Sequence, residues 1–215
     1  MKIRRILFFV AICFFCVDMN AQQFVPATPE QEKLMLEKIT DSSAKMESLV
    51  CYFEQVKELS ILEEKMVSKG KMYYRNDNHL RWEYFSPYVY TFILSNKTII
   101  TQAENSKKNV IDIKSSRVFQ EIVKIMMNGI NGNGLKDIKS FSASYFWSEN
   151  QWRVHLIPVQ KEMKKMFSTI KLTFNVEDHT VDKVEMIDEN GDTTTISLSG
   201  KQFNKKIENE KFIVD

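Results

Sequence analysis

The chain has 215 residues, 43% of them hydrophobic, with 30 basic and 28 acidic side chains for a formal net charge of +2. That length suits one domain with a sizeable core. A near-neutral balance gives no electrostatic case for binding nucleic acid, which rests on neutralising phosphates.

The first 21 residues stand apart from the fold. Lys2, Arg4 and Arg5 make a basic start, ILFFVAICFFCV is an apolar run, and DMNA ends on a small residue. These are the parts of a secretory signal peptide, and the run falls short of the roughly 20 apolar residues that cross a bilayer. Cleavage after Ala21 leaves residues 22–215 as a single exported domain. Cys13 and Cys16 each follow a large residue, which disfavours lipidation, and both leave with the leader. Only Cys51 remains, so no internal disulfide forms.

QQFVPA reads as loose chain, followed by a marked helix start. Thr28 is placed to cap, Pro29 takes the first helical position, and Gln31 completes a capping box. Met35, Ile39, Met46 and Leu49 recur at helical spacing, which predicts an amphipathic helix to about residue 50. The period then falls to two. Strands are predicted near 51–60, 64–75, 79–85, 89–95, 98–103 and 108–113, with turns at RNDN, SP and SNK. SSRVFQEIVKIMMNG puts Val118, Phe119, Ile122, Ile125 and Met126 on one face of a second helix that stops at Asn128-Gly129, and NGINGNG follows as a loop.

Strands resume with FSASYFW and QWRVHLI across SENQ, then STIKLTFNV after a helical turn at KEMKKM. HTVDKVEMI and TTTISLSG flank an Asn190-Gly191 hairpin. About ten strands in two runs, with two helices, describe an α+β protein on one large curved antiparallel sheet.

Little in the chain calls for catalysis or a metal. His79, His155 and His179 are far apart and in no ligand spacing, and surface or packing roles account for them. DENGD, residues 188–192, lacks the distal bidentate glutamate of a calcium loop and reads as a hairpin turn. NGINGNG does not read GxGxxG, and no GxSxG elbow is present. Cys51 opens a strand with no histidine nearby, as a buried inert thiol does.

The excess is in aromatic and flexible apolar residues at alternating positions: Met72 and Tyr74; Leu80, Trp82 and Tyr84; Tyr90, Phe92 and Leu94; Tyr145 and Trp147; Val154 and Leu156. Alternation alone fits an ordinary packed core and the wall of an apolar cavity equally. Methionines on both helices suit surfaces that adapt to varied apolar shapes.

Three phrases in order, YFEQV (52–56), SKGKMYYRNDNHLRWEYFSP (68–87) and ILSNKTII (93–100), resemble the periplasmic outer-membrane lipoprotein carrier family, LolA. The resemblance implies an incomplete, strongly curved antiparallel β-barrel whose open mouth is covered by amphipathic helices. It implies a periplasmic carrier, without catalytic activity or cofactor, that takes lipoprotein acyl chains from an inner-membrane transporter to an outer-membrane acceptor, working as a monomer. Met72, Tyr74, Leu80, Trp82, Tyr84, Phe92 and Leu94 on the strands, with Phe119, Ile122 and Met126 on the second helix, would line the cavity. The family's lid-holding arginine lies in the turn after Gly70; Asn76 aligns with it, and Arg75, one position earlier, is the candidate for that role. Two rivals keep the fold and change the task. One is a carrier of another amphiphile, such as a glycolipid or an acylated pigment precursor. The other is a periplasmic sensing or interaction domain with a filled core.

Overall fold

A computed structural model describes residues 23–61, 64–95, 98–112, 135 and 141–213. The predicted leader over residues 1–21, the helix with Phe119, Ile122 and Met126, and the NGINGNG loop lie outside the described residues.

Twelve strands form one antiparallel sheet in the order β1-β8-β9-β10-β11-β12-β2-β3-β4-β5-β6-β7. Strands β2 (Ser48–Glu58), β3 (Lys65–Arg75), β4 (His79–Ser86), β5 (Tyr90–Ser95), β6 (Thr98–Ala103) and β7 (Asn109–Asp112) form a meander. A second meander comprises β8 (Phe141–Trp147), β9 (Gln151–Pro158), β10 (Thr169–Asn175), β11 (Val181–Ile187) and β12 (Thr193–Phe203). The two runs join where β12 pairs with β2. The sheet is not closed, and β1 and β7 stand at its two edges. Each strand placed by alternation is present. The addition is β1, Val25–Pro26, inside the stretch expected to be loose, which pairs with Trp147 and Phe146.

Helix α1 runs from Pro29 to Ala44 and starts as its sequence dictates. The Gln31 N–H donates to Thr28 Oγ1 at 3.3 Å, and the Thr28 N–H donates to Gln31 Oε1 at 2.9 Å. The helix ends earlier than expected. Met46 and Leu49 mimic helical spacing but join a sheet cluster with Cys51 and Phe53, because the residues from Ser48 onward alternate between the two faces of β2. The other α-helix among the described residues, α2 (Lys161–Lys164), is a single turn.

Register defines one continuous inner face across both runs, since Gln55, Ile196, Val184, Leu172, Val154 and Tyr145 are successive cross-strand partners. On the β8–β11 half this face packs with Met35 and Ile39 of α1, along with Leu135, Phe141 and Met163. On the β2–β6 half it forms a second cluster, described below. Where the halves meet, Lys201 follows Gly200, whose φ of +60° bends β12. Its ammonium bridges Asp178 at 2.8 Å and Asp182 at 2.6 Å, and donates to Thr180 Oγ1 at 2.8 Å. The Ser42 hydroxyl donates to the Asp178 carbonyl at 2.7 Å, tying the end of α1 to the same knot.

Candidate functional site

Alternation and register build the wall of the β2–β6 half in rows. The first row is Leu49, Tyr74, Leu80, Leu94 and Ile99; the second is Cys51, Met72, Trp82 and Phe92; the third is Phe53, Gly70, Tyr84 and Tyr90. Thus Met72, Tyr74, Leu80, Trp82 and Leu94 fall in one cluster, with Tyr84 and Phe92 packed against it. The rows grade outward: the first is sealed, Trp82 in the second is 7% exposed, and Tyr90 at the end of the third is 37% exposed. Beyond that end, Met66, Val67, Phe85, Tyr88 and Val89 are all exposed.

Phe53 binds the rows together, though it was not among the expected wall residues. Its ring centroid lies 4.3 Å from that of Trp82 and 5.0 Å, edge-on, from that of Tyr84. Gly70 makes room for it: a Cβ there would lie 2.1 Å from both Phe53 Cζ and the Glu83 carbonyl oxygen. The glycine that opens this strand in the sequence is therefore a packing requirement.

A small polar node sits in this wall. The Tyr84 hydroxyl donates to Gln55 Oε1 at 2.9 Å. Burial pushes the Tyr84 phenol above its ordinary range; the nearby Trp82 side chain offsets part of this, and Tyr90 adds to it. The Trp82 indole Nε1 is buried with no hydrogen-bond partner. Burial pushes the Cys51 thiol up to about 12 against a smaller opposing pull from Lys201, which makes it a poor nucleophile.

Arg75 faces away from this wall. Its Nε donates to Asp77 Oδ1 at 2.9 Å, and its Nη1 donates to the Ile207 carbonyl at 3.0 Å and to Asn209 Oδ1 at 2.9 Å. Its guanidinium also lies 4.9 Å from the Phe212 ring centroid. The described partners of Arg75 outside its own turn are thus in the C-terminal segment, whereas the resemblance implies a residue that holds a lid of helices. That guanidinium holds the Asp77 carboxyl below the usual carboxylate range; burial opposes the effect and His79 reinforces it.

The C-terminal segment forms a strap across the outer face, which the sequence did not reveal. Ile207 and Phe212 pack with Val50 and Ile93 against Tyr73 and Ile100. Arg81 Nη1 donates to the Lys211 and Ile213 carbonyls, each at 3.1 Å, and Arg81 also pairs with Glu83. A concavity of about 540 Å³ opens beside the strap near Tyr73, Arg81, Ile207 and Lys211, and another of about 480 Å³ lies along α1 near Leu36 and Thr40.

The remaining polar candidates are structural. DENGD is a turn: Asp188 Oδ1 accepts from the Asn190 and Asp192 N–H groups, and Asp192 Oδ1 accepts from the Ser60 N–H at 2.7 Å. His179 stacks on Trp152 with centroids 5.3 Å apart, and His155 lies 4.4 Å from the Phe146 ring. No group of three or more His, Cys, Asp or Glu able to hold a metal occurs among the described residues.

An open antiparallel sheet with an aromatic inner wall and few helices is a LolA-like fold. The family described as outer membrane lipoprotein carrier protein LolA matches residues 44–215, and the chain belongs to it. A comparison with curated proteins gives no match. Among solved structures, the complex of Pseudomonas aeruginosa MucA/MucB is similar with a TM-score of 0.50 and 8% identity, covering 84% of this chain and 60% of that chain. A LolA superfamily protein of Nitrosomonas europaea is similar with a TM-score of 0.45 and 8% identity over 88% of this chain and 98% of that one. Lipoprotein LppX of Mycobacterium tuberculosis is similar with a TM-score of 0.46 and 9% identity, over 82% and 98% respectively. At 8% identity the likeness to the MucA/MucB chain is one of fold.

Proposed function

We propose that this chain is an exported carrier that holds the acyl chains of a lipoprotein against the inner face of β2–β6 and moves them between the inner and outer membranes. The observation behind this reading is the graded wall, sealed at Leu80 and Leu94 and opening through Trp82 to Tyr84 and Tyr90, in a chain of the lipoprotein carrier family. Each methylene withdrawn from water is worth about 0.8 kcal/mol, so acyl chains do not cross an aqueous space unaided at a useful rate. A wall of Met72, Phe92 and aromatic rings offers area without directional contacts, which allows release as well as capture.

In this proposal Phe53 is the movable plug. Its ring fills the space over Gly70 when the site is empty, and Phe119, Ile122 and Met126 of the predicted second helix complete the lining when it is full. Cargo arrives from an inner-membrane lipoprotein-releasing transporter and leaves to an outer-membrane acceptor. Export by cleavage after Ala21 supplies the compartment. A glycolipid or acylated pigment precursor is the alternative cargo for the same wall.

A second reading has one observation of its own. Phe53 already packs on Trp82 and Tyr84, and the two concavities above lie on the outer face and along α1. That suits a sensing or interaction domain with a filled core. Displacement of a fluorescent fatty acid separates the two: the carrier binds it at micromolar concentration, and the filled-core domain gives no saturable signal.

A further inference from the structure

We infer that Trp82, Tyr84 and Gln55 form a polar anchor that takes the carbonyl oxygen of an acyl ester or amide near the open end of the inner wall. The inference rests on the carrier reading and adds what part of the cargo the wall recognises.

The argument begins with an uncompensated donor. Trp82 is 7% exposed, and its indole N–H makes no well-formed hydrogen bond, although it lies close enough to the Tyr84 hydroxyl to pull that phenol's pKa down a little. Buried indole N–H groups ordinarily find one, because leaving a donor unpaired costs about 1–3 kcal/mol. A site that keeps such a donor in an otherwise apolar wall gains when an acceptor arrives.

The neighbouring groups converge on the same region. Tyr84 is two residues along β4, on the same face, and its hydroxyl is fixed by Gln55 Oε1 at 2.9 Å. That bond uses the Tyr84 proton and orients the phenol oxygen, and the Gln55 amide N–H2 group keeps its donors uncommitted among the described residues. Two donor groups, the indole N–H and the Gln55 amide, therefore flank an oriented hydroxyl; the row next outward on the same face carries Lys57 between Thr194 and Met66. Such a site takes a hydrogen-bond acceptor.

Position supplies the rest. The row beneath Trp82 is sealed, with Leu49, Leu80, Leu94 and Ile99 in line with the Tyr74 ring, whereas Tyr84 is half-buried and Tyr90 is 37% exposed. A hydrocarbon chain lying along Leu80 and Leu94 would bring its carbonyl to Trp82 and Tyr84, with the remainder of the cargo at the exposed end. The wall thus has a hydrocarbon zone and a carbonyl zone in the order an acylated molecule presents them. A hydrocarbon without a carbonyl leaves the donor unpaired.

The test compares two probes of equal chain length, a diacylglycerol and the corresponding dialkylglycerol, whose ether links lack the carbonyls. Each displaces a fluorescent fatty acid from the full chain and from Trp82→Phe, which keeps an aromatic ring and removes the donor. The wild-type chain is expected to bind the ester about five- to tenfold more tightly than the ether. In Trp82→Phe both probes lose some affinity with the smaller ring, and the ester's advantage over the ether is expected to disappear. Gln55→Leu is a second variant and is expected to reduce the ester preference by a smaller factor. Equal affinity for ester and ether in the wild-type chain overturns the anchor and leaves the carrier reading standing, as does an ester preference that survives Trp82→Phe. Binding of neither probe overturns both.

Discussion

The ring of Phe53 lies 4.3 Å from that of Trp82, in space that any side chain at Gly70 would claim. One strand position without a Cβ thereby sets the packing of the inner wall. Gly70→Ala is expected to destabilise the fold by about 1–3 kcal/mol through overpacking. Denaturant unfolding measures this. Adding Phe53→Leu recovers only part of the loss, because the Glu83 carbonyl still lies 2.1 Å from the new Cβ.

The strap gives Arg75 a role that can be separated from cargo binding. Arg75→Ala removes the bonds to Ile207 and Asn209 and the contact with Phe212, and is expected to speed backbone amide exchange over residues 205–213. Phe212→Ala, which empties the space beside Val50 and Ile93, is expected to cost about 3 kcal/mol. If Arg75 only latches the strap, Arg75→Ala leaves fatty-acid affinity unchanged; a loss of affinity without faster exchange in the strap would restore the lid-holding role.

Cys51 is expected to resist thiol reagents in the native state and to react once the chain is unfolded. Its thiol has a folded pKa raised from 9.0 to about 12 by burial, so the folded state keeps a proton that the unfolded state loses. Stability from this group is complete below about pH 9 and is lost as the pH rises from there toward 12. Cys51→Ser shows the sign of this term: its unfolding free energy declines less steeply over that range.

Acid has the opposite pair of sensors. Burial, with nearby Lys171 for His155 and Lys38 for His179, depresses both imidazole pKa values below the ordinary 6.5. The unfolded chain therefore takes up protons first, and stability falls as the pH drops below about 6.5. Thermal unfolding between pH 7 and pH 5 is expected to show a falling midpoint, with a shallower fall in His155→Gln.

The sequence was most legible where structure is local. The Thr28-x-x-Gln31 box starts α1 because both of its hydrogen bonds span three residues. The strands from Lys65 to Asp112 follow period-two alternation, and Asn190-Gly191 turns where a positive φ is needed. Met46 and Leu49 misled because a three-residue step also joins two neighbours in one sheet cluster. The strap was hidden because its partner face lies far away in the chain. A trace of it exists in Leu49-Val50-Cys51 and Ile93-Leu94, where continuous apolar pairs replace alternation and signal strands covered on both faces. In LRWEYFSP the inward face could be read, with Leu80, Trp82 and Tyr84 all on it. Which faces gather together is a matter of pattern; how Phe53 fills the space over Gly70 is a matter of volume, and pattern carries no volume.

The leader remains the simplest expectation to check, by the intact mass of the exported protein, which should correspond to a chain beginning at Gln22.

The most direct test of the carrier is to load the full chain with a fatty acid bearing a photoactivatable group near the chain end, irradiate, and map the adducts by peptide mass spectrometry. Adducts concentrated on inner-face residues such as Met72, Leu80, Trp82, Phe92 and Leu94, and suppressed by excess unlabelled fatty acid, are the predicted result. Adducts confined to the strap or the solvent side of α1, or labelling that excess fatty acid does not suppress, would contradict it.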